Sequence, residues 1–256
     1  MKHKRLLMLS TVLVFIMVCV VCVKELFSVK DITVQYSVAS SEVSDEVLSL
    51  LDDYYGKNIF SVDTTKISNQ ITSNQYLKVL SVTKNYPNEI IVKLTERTEK
   101  YYYVASDAVY YFDEEYFIVR QSQNLPEATS YLTQIVFEDI YGKNHDVKCQ
   151  LKSIFDFPNN FKADADILAK EIAEISSNVT KIAFVTTEEE GNYRINLQMI
   201  EGVVIELSKA NESLTEKIAK GVDYYNSAEE IEKISGTIYV QIDNNGEVTV
   251  IPKTLR

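Results

Sequence analysis

The chain has 256 residues, room for one large domain or two small ones, and its 46% hydrophobic and 25% charged content excludes wholesale disorder. Its formal charge of −11 is uneven: Lys2, Lys4 and Arg5 come first, and from position 24 onward 23 basic residues stand against 37 acidic ones, a net −14. Such a body repels nucleic acid and anionic headgroups, and with only His3 and His145 a histidine triad or histidine metal site is excluded as well.

Leu6 to Val23 is uncharged, lacks Pro and Gly, and carries only Ser10 and Thr11 as polar residues. At 1.5 Å per residue this is about 27 Å of helix, close to the ~30 Å hydrocarbon core. No small-residue cleavage site follows Val23, which favours an uncleaved transmembrane helix over a signal peptide. Leu6, Val14 and Val23 mark that anchor. Lys2, Lys4 and Arg5 would hold a tail of residues 1–5 in the cytoplasm, with the rest outside. Of the three cysteines, Cys19 and Cys22 lie in this run, and Cys149 alone cannot close a disulfide beyond it.

Phe27 to Val34 alternates as a strand. Ser44 is placed to cap a helix with Asp45 and Glu46 in its first turn, carrying Val47, Leu51 and Tyr54, widened by Leu48 and Tyr55, and stopped at Gly56. Ile59 and Phe60 are expected to be buried. Asp63 caps a second helix with Ile67 and Ile71 one turn apart. Leu77–Lys84, a Pro87-Asn88 turn, and Ile90, Val92 and Leu94 make a hairpin ending at Glu96-Arg97.

Beyond 98, Val109–Asp113 and Phe117–Arg120 pair across an acidic turn, while no element is assigned between Arg120 and Asp164. Asp164 is expected to cap a helix through Leu168, Ile172 and Ile175. Lys181–Thr186, Tyr193–Met199 and Val203–Leu207 read as strands, and Leu214, Ile218, Val222 and Tyr225 as a helix face. Ile238, Val240 and Ile242 alternate, then Asn244-Asn245-Gly246 turns the chain into Val248 and Val250. The seventeen tyrosines, clustered at 101–103 and 110–111, suit either a sheet surface or a protein interface, the sheet being the plainer reading.

Chemistry-bearing patterns are missing. There is no GxGxxG, GxxxxGK[ST] or GxSxG. The acidic groups at 113–115, 188–190 and 229–232 read as solvated surface, and Asp164 with Asp166 lacks the rest of a calcium loop. No cofactor and no enzymatic activity are expected.

The anchor followed by FSVKDITV, then GKNIFSVD at 56–63 and PNEIIVKLTER at 87–97, resembles the FtsQ/DivIB family of cell-division proteins. The strand–helix–helix–strand–strand unit resembles its POTRA domain. Glu99 departs from the family, where a proline commonly follows the Glu-Arg pair. The resemblance implies an α+β protein: a single transmembrane helix at 6–25, a POTRA domain at 26–97, and a membrane-distal β domain at 98–256 with a mostly antiparallel sheet. It implies a divisome scaffold at the septum that binds FtsB/DivIC-like and FtsL-like coiled-coil proteins and links the divisome to septal peptidoglycan synthesis. Carried over by position, Gln241, Ile242, Asn244, Gly246 and Val248 would meet the coiled-coil partner. Two alternatives remain at this point: a membrane-anchored extracytoplasmic cell-wall enzyme, and another POTRA-containing assembly or secretion protein.

Overall fold

The apolar run at the N-terminus forms a helix, Lys2–Leu26, in the computed structural model of the protein, which describes residues 2–36, 47–127, 131–188 and 191–253, with the backbone alone at 2–7, 9 and 160. Lys2, Lys4, Arg5 and Leu6 occupy its first turns, and Val14 and Val23 are exposed further along. Among the described residues no helix is long and apolar enough to cross a membrane. This corrects the transmembrane reading of 6–25. The helix takes up Lys2, Lys4 and Arg5 at one end and Lys24 and Glu25 at the other, and Ser10 and Thr11 interrupt its apolar run. The unbroken apolar stretch with described side chains, Val12 to Val23, spans only about 18 Å against a ~30 Å hydrocarbon core.

The chain divides into two units, Met1–Arg97 and Thr98–Arg256. The first holds three strands, β1 (Asp31–Tyr36), β2 (Leu77–Asn85) and β3 (Glu89–Glu96), in the order β1-β3-β2. β1 runs parallel to β3, and β2 antiparallel to it. β1 starts later than the alternation from Phe27 suggests. Phe27 still donates its N–H to Val23 O at 3.0 Å, and Val29 donates to Lys57 O at 2.9 Å. Backbone groups used in a helix end and a loop clamp are not free for a ladder.

Ser44, Asp45 and Glu46 lie outside the described residues. After them a helical turn at 47–50 brings Val47 and Leu51 into the core, and Gly56, at φ +75°, turns the chain out of it. Tyr55 is exposed, off the buried stripe. Asp63 caps the helix Thr64–Ile71, its Oδ1 accepting from Thr65 N at 2.9 Å, and Ile67 and Ile71 are fully buried. Ile90, Val92 and Leu94 cover the sheet's inner face as the alternation requires.

Phe60 is 60% exposed, against expectation, whereas Ile59 is buried. Both sit in a 3₁₀ turn, Ile59–Ser61, whose successive side chains diverge by a third of a turn. One faces the core and the next cannot. The Phe60 ring instead lies outside, tilted against Phe27 at 5.0 Å and stacked on Tyr86 at 5.2 Å.

The second unit is built on a nine-stranded sheet, in the order β12-β11-β10-β9-β8-β7-β4-β5-β6. Its strands are β4 (Tyr101–Val104), β5 (Val109–Phe112), β6 (Ile118–Ser122), β7 (Thr133–Asp139), β8 (Val179–Thr186), β9 (Tyr193–Met199), β10 (Val204–Leu207), β11 (Thr237–Ile242) and β12 (Val248–Lys253). Five neighbouring pairs are antiparallel and three parallel (β4–β7, β7–β8 and β10–β11). The α+β class holds.

Helices Lys162–Glu171 and Leu214–Ser227 contribute to the core of this unit through Ala165, Leu168, Leu214, Ile218, Val222 and Tyr225. Its aromatic centre comes from the stretch without assigned elements. Phe137 on β7 stacks on Phe184 at 5.5 Å, and Phe155, Phe157 and Phe161 close around the pair. Of the tyrosines at the unit's start, Tyr101, Tyr103 and Tyr110 belong to this core, while Tyr111 packs against Tyr102 and Arg120. Tyr101, Tyr103, Tyr110 and Tyr111 are buried, and Tyr103 Oη donates to His145 O while accepting from Val147 N.

Helix Lys162–Glu171 begins two residues before Asp164, so Asp164 sits in the first turn and is not the cap. Its carboxylate accepts from Tyr193 Oη at 2.6 Å, and burial raises its pKa. Asp166 pairs with Lys162 at 2.9 Å.

Candidate protein-binding edge

The nine-stranded sheet ends, on one side, in the β11–β12 hairpin. Local chemistry makes the turn. Asp243 Oδ1 accepts from Asn245 N at 2.8 Å and Glu247 N at 3.0 Å, and Asp243 N donates to Glu247 O at 2.8 Å. These N–H groups, Glu247's first, stabilise the ionised carboxylate and lower the pKa of Asp243. Gly246, at φ +83°, takes the left-handed position the turn demands.

The hydrogen-bonding direction of each residue follows from the register. Ser208 N donates to Val240 O at 3.0 Å, so the even-numbered residues of β11 point toward β10. The odd ones, beginning with Asp243 bonded to Glu247, point toward β12. With Gln241 opposite Thr249 and Tyr239 opposite Ile251, the residues of β12 that bond β11 are Thr249, Ile251 and Lys253. Val248, Val250 and Pro252 therefore turn their backbone groups to the outer side, where β12 has no neighbouring strand among the described residues. Pro252 has no N–H to offer there, which is where proline is tolerated in a sheet. The usable edge is short: Val248 and Val250 present both donor and acceptor, and Pro252 an acceptor alone.

The five residues carried over by resemblance do not form one surface. Gln241 and Ile242 are half-buried on β11, whose two sides are taken by β10 and β12. Asn244 and Gly246 are exposed in the turn, and Val248 is buried. The outer strand runs Val248–Lys253; the sequence places Val248 and Val250 in it but only Val248 at the contact, and Ile251 is 48% exposed on the face away from Val248. The proline was the available signal, because it marks an edge strand.

Three acidic clusters, read as open surface, have structural uses. Asp113 is buried, and its Oδ1 accepts from Glu115 N and Phe117 N, both at 2.9 Å, forming the β5–β6 turn. Glu188 accepts from Tyr141 Oη at 2.7 Å, and Glu229 with Glu232 makes a capping box at the helix Glu230–Ile234. Glu99, at the position where the family commonly has proline, forms a bidentate pair with Arg120 at 2.6 and 2.8 Å. Among the described residues no cluster of His, Cys, Asp and Glu is arranged to hold a metal ion. The thiol of Cys149 is half-buried and pushed up to about 12 by desolvation, which leaves it unreactive near neutral pH.

Residues 27–97 match the family model described as POTRA domain, FtsQ-type, over the β1–helices–β2–β3 unit. The chain is 24% identical over 202 residues to the cell division protein DivIB of Clostridium tetani, covering 79% of this chain and 68% of that protein. Both matches support the FtsQ/DivIB family for this chain. A second relative, the cell division protein FtsQ of Syntrophotalea carbinolica, is 32% identical over 69 residues, 27% of this chain and 24% of that protein. The major extracytoplasmic domain of the trans isomer of DivIB from Geobacillus stearothermophilus matches at 12% identity over 52% of this chain and 98% of that one. Its TM-score of 0.26 is too low to support any comparison of folds. Through these relatives, both named as cell division proteins, the chain is a cell-division protein.

Proposed function

We propose that this cell-division protein works as a binding scaffold at the septum, and that the outer edge of β12 receives an extended segment of a partner. By family resemblance the partner is a coiled-coil division protein of the FtsB/DivIC type, joined to one of the FtsL type, so that the complex connects the divisome to septal peptidoglycan synthesis. The supporting observation is the direction of the edge groups: Val248 and Val250 turn N–H and C=O to the side of the sheet where, among the described residues, no strand lies. An added strand would satisfy them as a tenth member of the sheet. The FtsQ-type POTRA unit is assigned to contacts with further divisome proteins.

Val250→Pro tests this directly. The substitution deletes an N–H that faces outward and leaves every β11–β12 ladder bond in place. Capture of the coiled-coil partner from the same cells should fall to background, with the thermal transition nearly unmoved. Capture at wild-type level by a folded variant would reject the edge. A fluorescent fusion should gather at midcell, and diffuse signal throughout the envelope would reject septal action.

A further inference from the structure

The β12 edge is not simply open. Lys220, on the helix Leu214–Ser227, reaches to the edge and donates from Nζ to Val248 O at 2.6 Å, while Glu216 Oε1 lies 3.2 Å away on the same helix face. Val248 O is the edge acceptor nearest the turn, and Pro252 at the far end has no donor. An incoming strand thus meets a guarded carbonyl at one end and a missing N–H at the other. Between them, Val250 turns both its N–H and its C=O to the side where no strand lies among the described residues.

The surrounding charge defines what can pass. Residues 98–256 carry 15 basic against 27 acidic residues, yet the edge is flanked by Lys220 at Val248 and by Lys253 beyond Pro252. A strand that needs Val248 O for its own N–H forces the ammonium to share or leave that oxygen. Displaced from Val248 O, the half-exposed ammonium keeps Glu216 as an acceptor, and a carboxylate on the added strand would restore a second.

We propose that Lys220 is a specificity gate on the β12 edge: it occupies the Val248 carbonyl and yields it to a strand that carries a carboxylate within reach of the displaced ammonium. This rests on the reading of β12 as the docking edge and adds the chemistry of the strand it accepts. The gate also gives the edge a defence against pairing with uncharged strands, since lysines are a common means of blunting exposed edges.

The test uses the full chain and three blocked synthetic strand peptides of alternating Val and Thr. They are identical except for Glu, Gln or Lys at the position facing Lys220, and binding is read by fluorescence anisotropy. The Glu peptide should bind wild type about fivefold more tightly than the Gln peptide, and the Lys peptide most weakly. Lys220→Met keeps the aliphatic stem and should bring Glu and Gln peptides to equal affinity, while Lys220→Arg should keep the preference. Equal binding of Glu and Gln peptides to wild type, or a preference that survives Lys220→Met, overturns the gate but leaves the docking edge standing if Val250→Pro abolishes binding. Failure of all three peptides to bind wild type and Lys220→Met alike overturns the gate and the docking edge together.

Discussion

Asp63 and Asp243 do the same physical job in two places, a carboxylate collecting backbone N–H groups that a helix start or a turn leaves over. Asp63 accepts from the first turn of Thr64–Ile71. Asp63→Ala should therefore cost about 1 kcal/mol in chemical denaturation of the first unit. Asp243 adds a pH dependence. Its pKa is lowered in the folded state from the ordinary 3.8 by the Glu247 and Asn245 N–H groups. A lowered carboxyl stabilises the fold fully above the unfolded value, and that contribution disappears as pH falls through the lowered folded value. The melting-temperature gap between wild type and Asp243→Asn should hold at neutral pH and close as the solution is taken to about pH 2. Lys217 shows the opposite balance. It is fully buried, its Nζ donates to Ser208 O at 2.7 Å and Lys209 O at 2.8 Å, and burial lowers its pKa. Lys217→Met would leave both carbonyls without that donor, and the expected loss is about 1–3 kcal/mol in denaturant titration.

At the level of elements, alternation and capping were legible wherever a segment has one buried face. Ile67 and Ile71, or Ile90, Val92 and Leu94, point inward as their spacing demands. β7 was not legible, because it is buried on both faces: Ile135 and Phe137 face the main core, and Val136 packs with Ala183 and Val185 on the other side. This central strand between two parallel neighbours sets Val136 between half-buried Gln134 and Glu138 on one face, and Thr133 beside Ile135 and Phe137 on the other, so no clean period of two shows. Phe60 failed for a different reason, since a 3₁₀ turn separates neighbours that hydrophobicity treats alike. The same scale yields a contrast between adjacent strands. Val240→Pro on β11 should disrupt the second unit, because β11 is bonded on both sides, whereas Val250→Pro on β12 should be tolerated. Circular dichroism of the two variants measures the difference.

For the whole molecule, the two units have separate sheets and separate cores. Calorimetry of the full chain should show two transitions. Phe184→Ala, which removes a ring from the centre of the larger core, should lower one of them by an amount corresponding to about 3–5 kcal/mol and leave the other in place. A single transition shifted as a whole would show that the units melt as one. The charge is likewise segregated. Unit 1 holds 11 basic and 10 acidic residues, so the acidity of the chain belongs to the second unit, where the lysines at the β12 edge stand out against it.

The sequence by itself determined the local rules of this protein: which segments form helices and strands where burial is one-sided, where Asp63 caps, where Asn245-Gly246 turns, and which family's pattern the 56–63 and 87–97 stretches follow. Strand order, the identity of the outermost strand, the burial of Asp113 and the reach of Lys220 to Val248 came only with the tertiary structure. Each depends on contacts between residues far apart in the chain, where pairing direction and packing decide which groups are covered. Periodicity along a single segment carries no record of its neighbours.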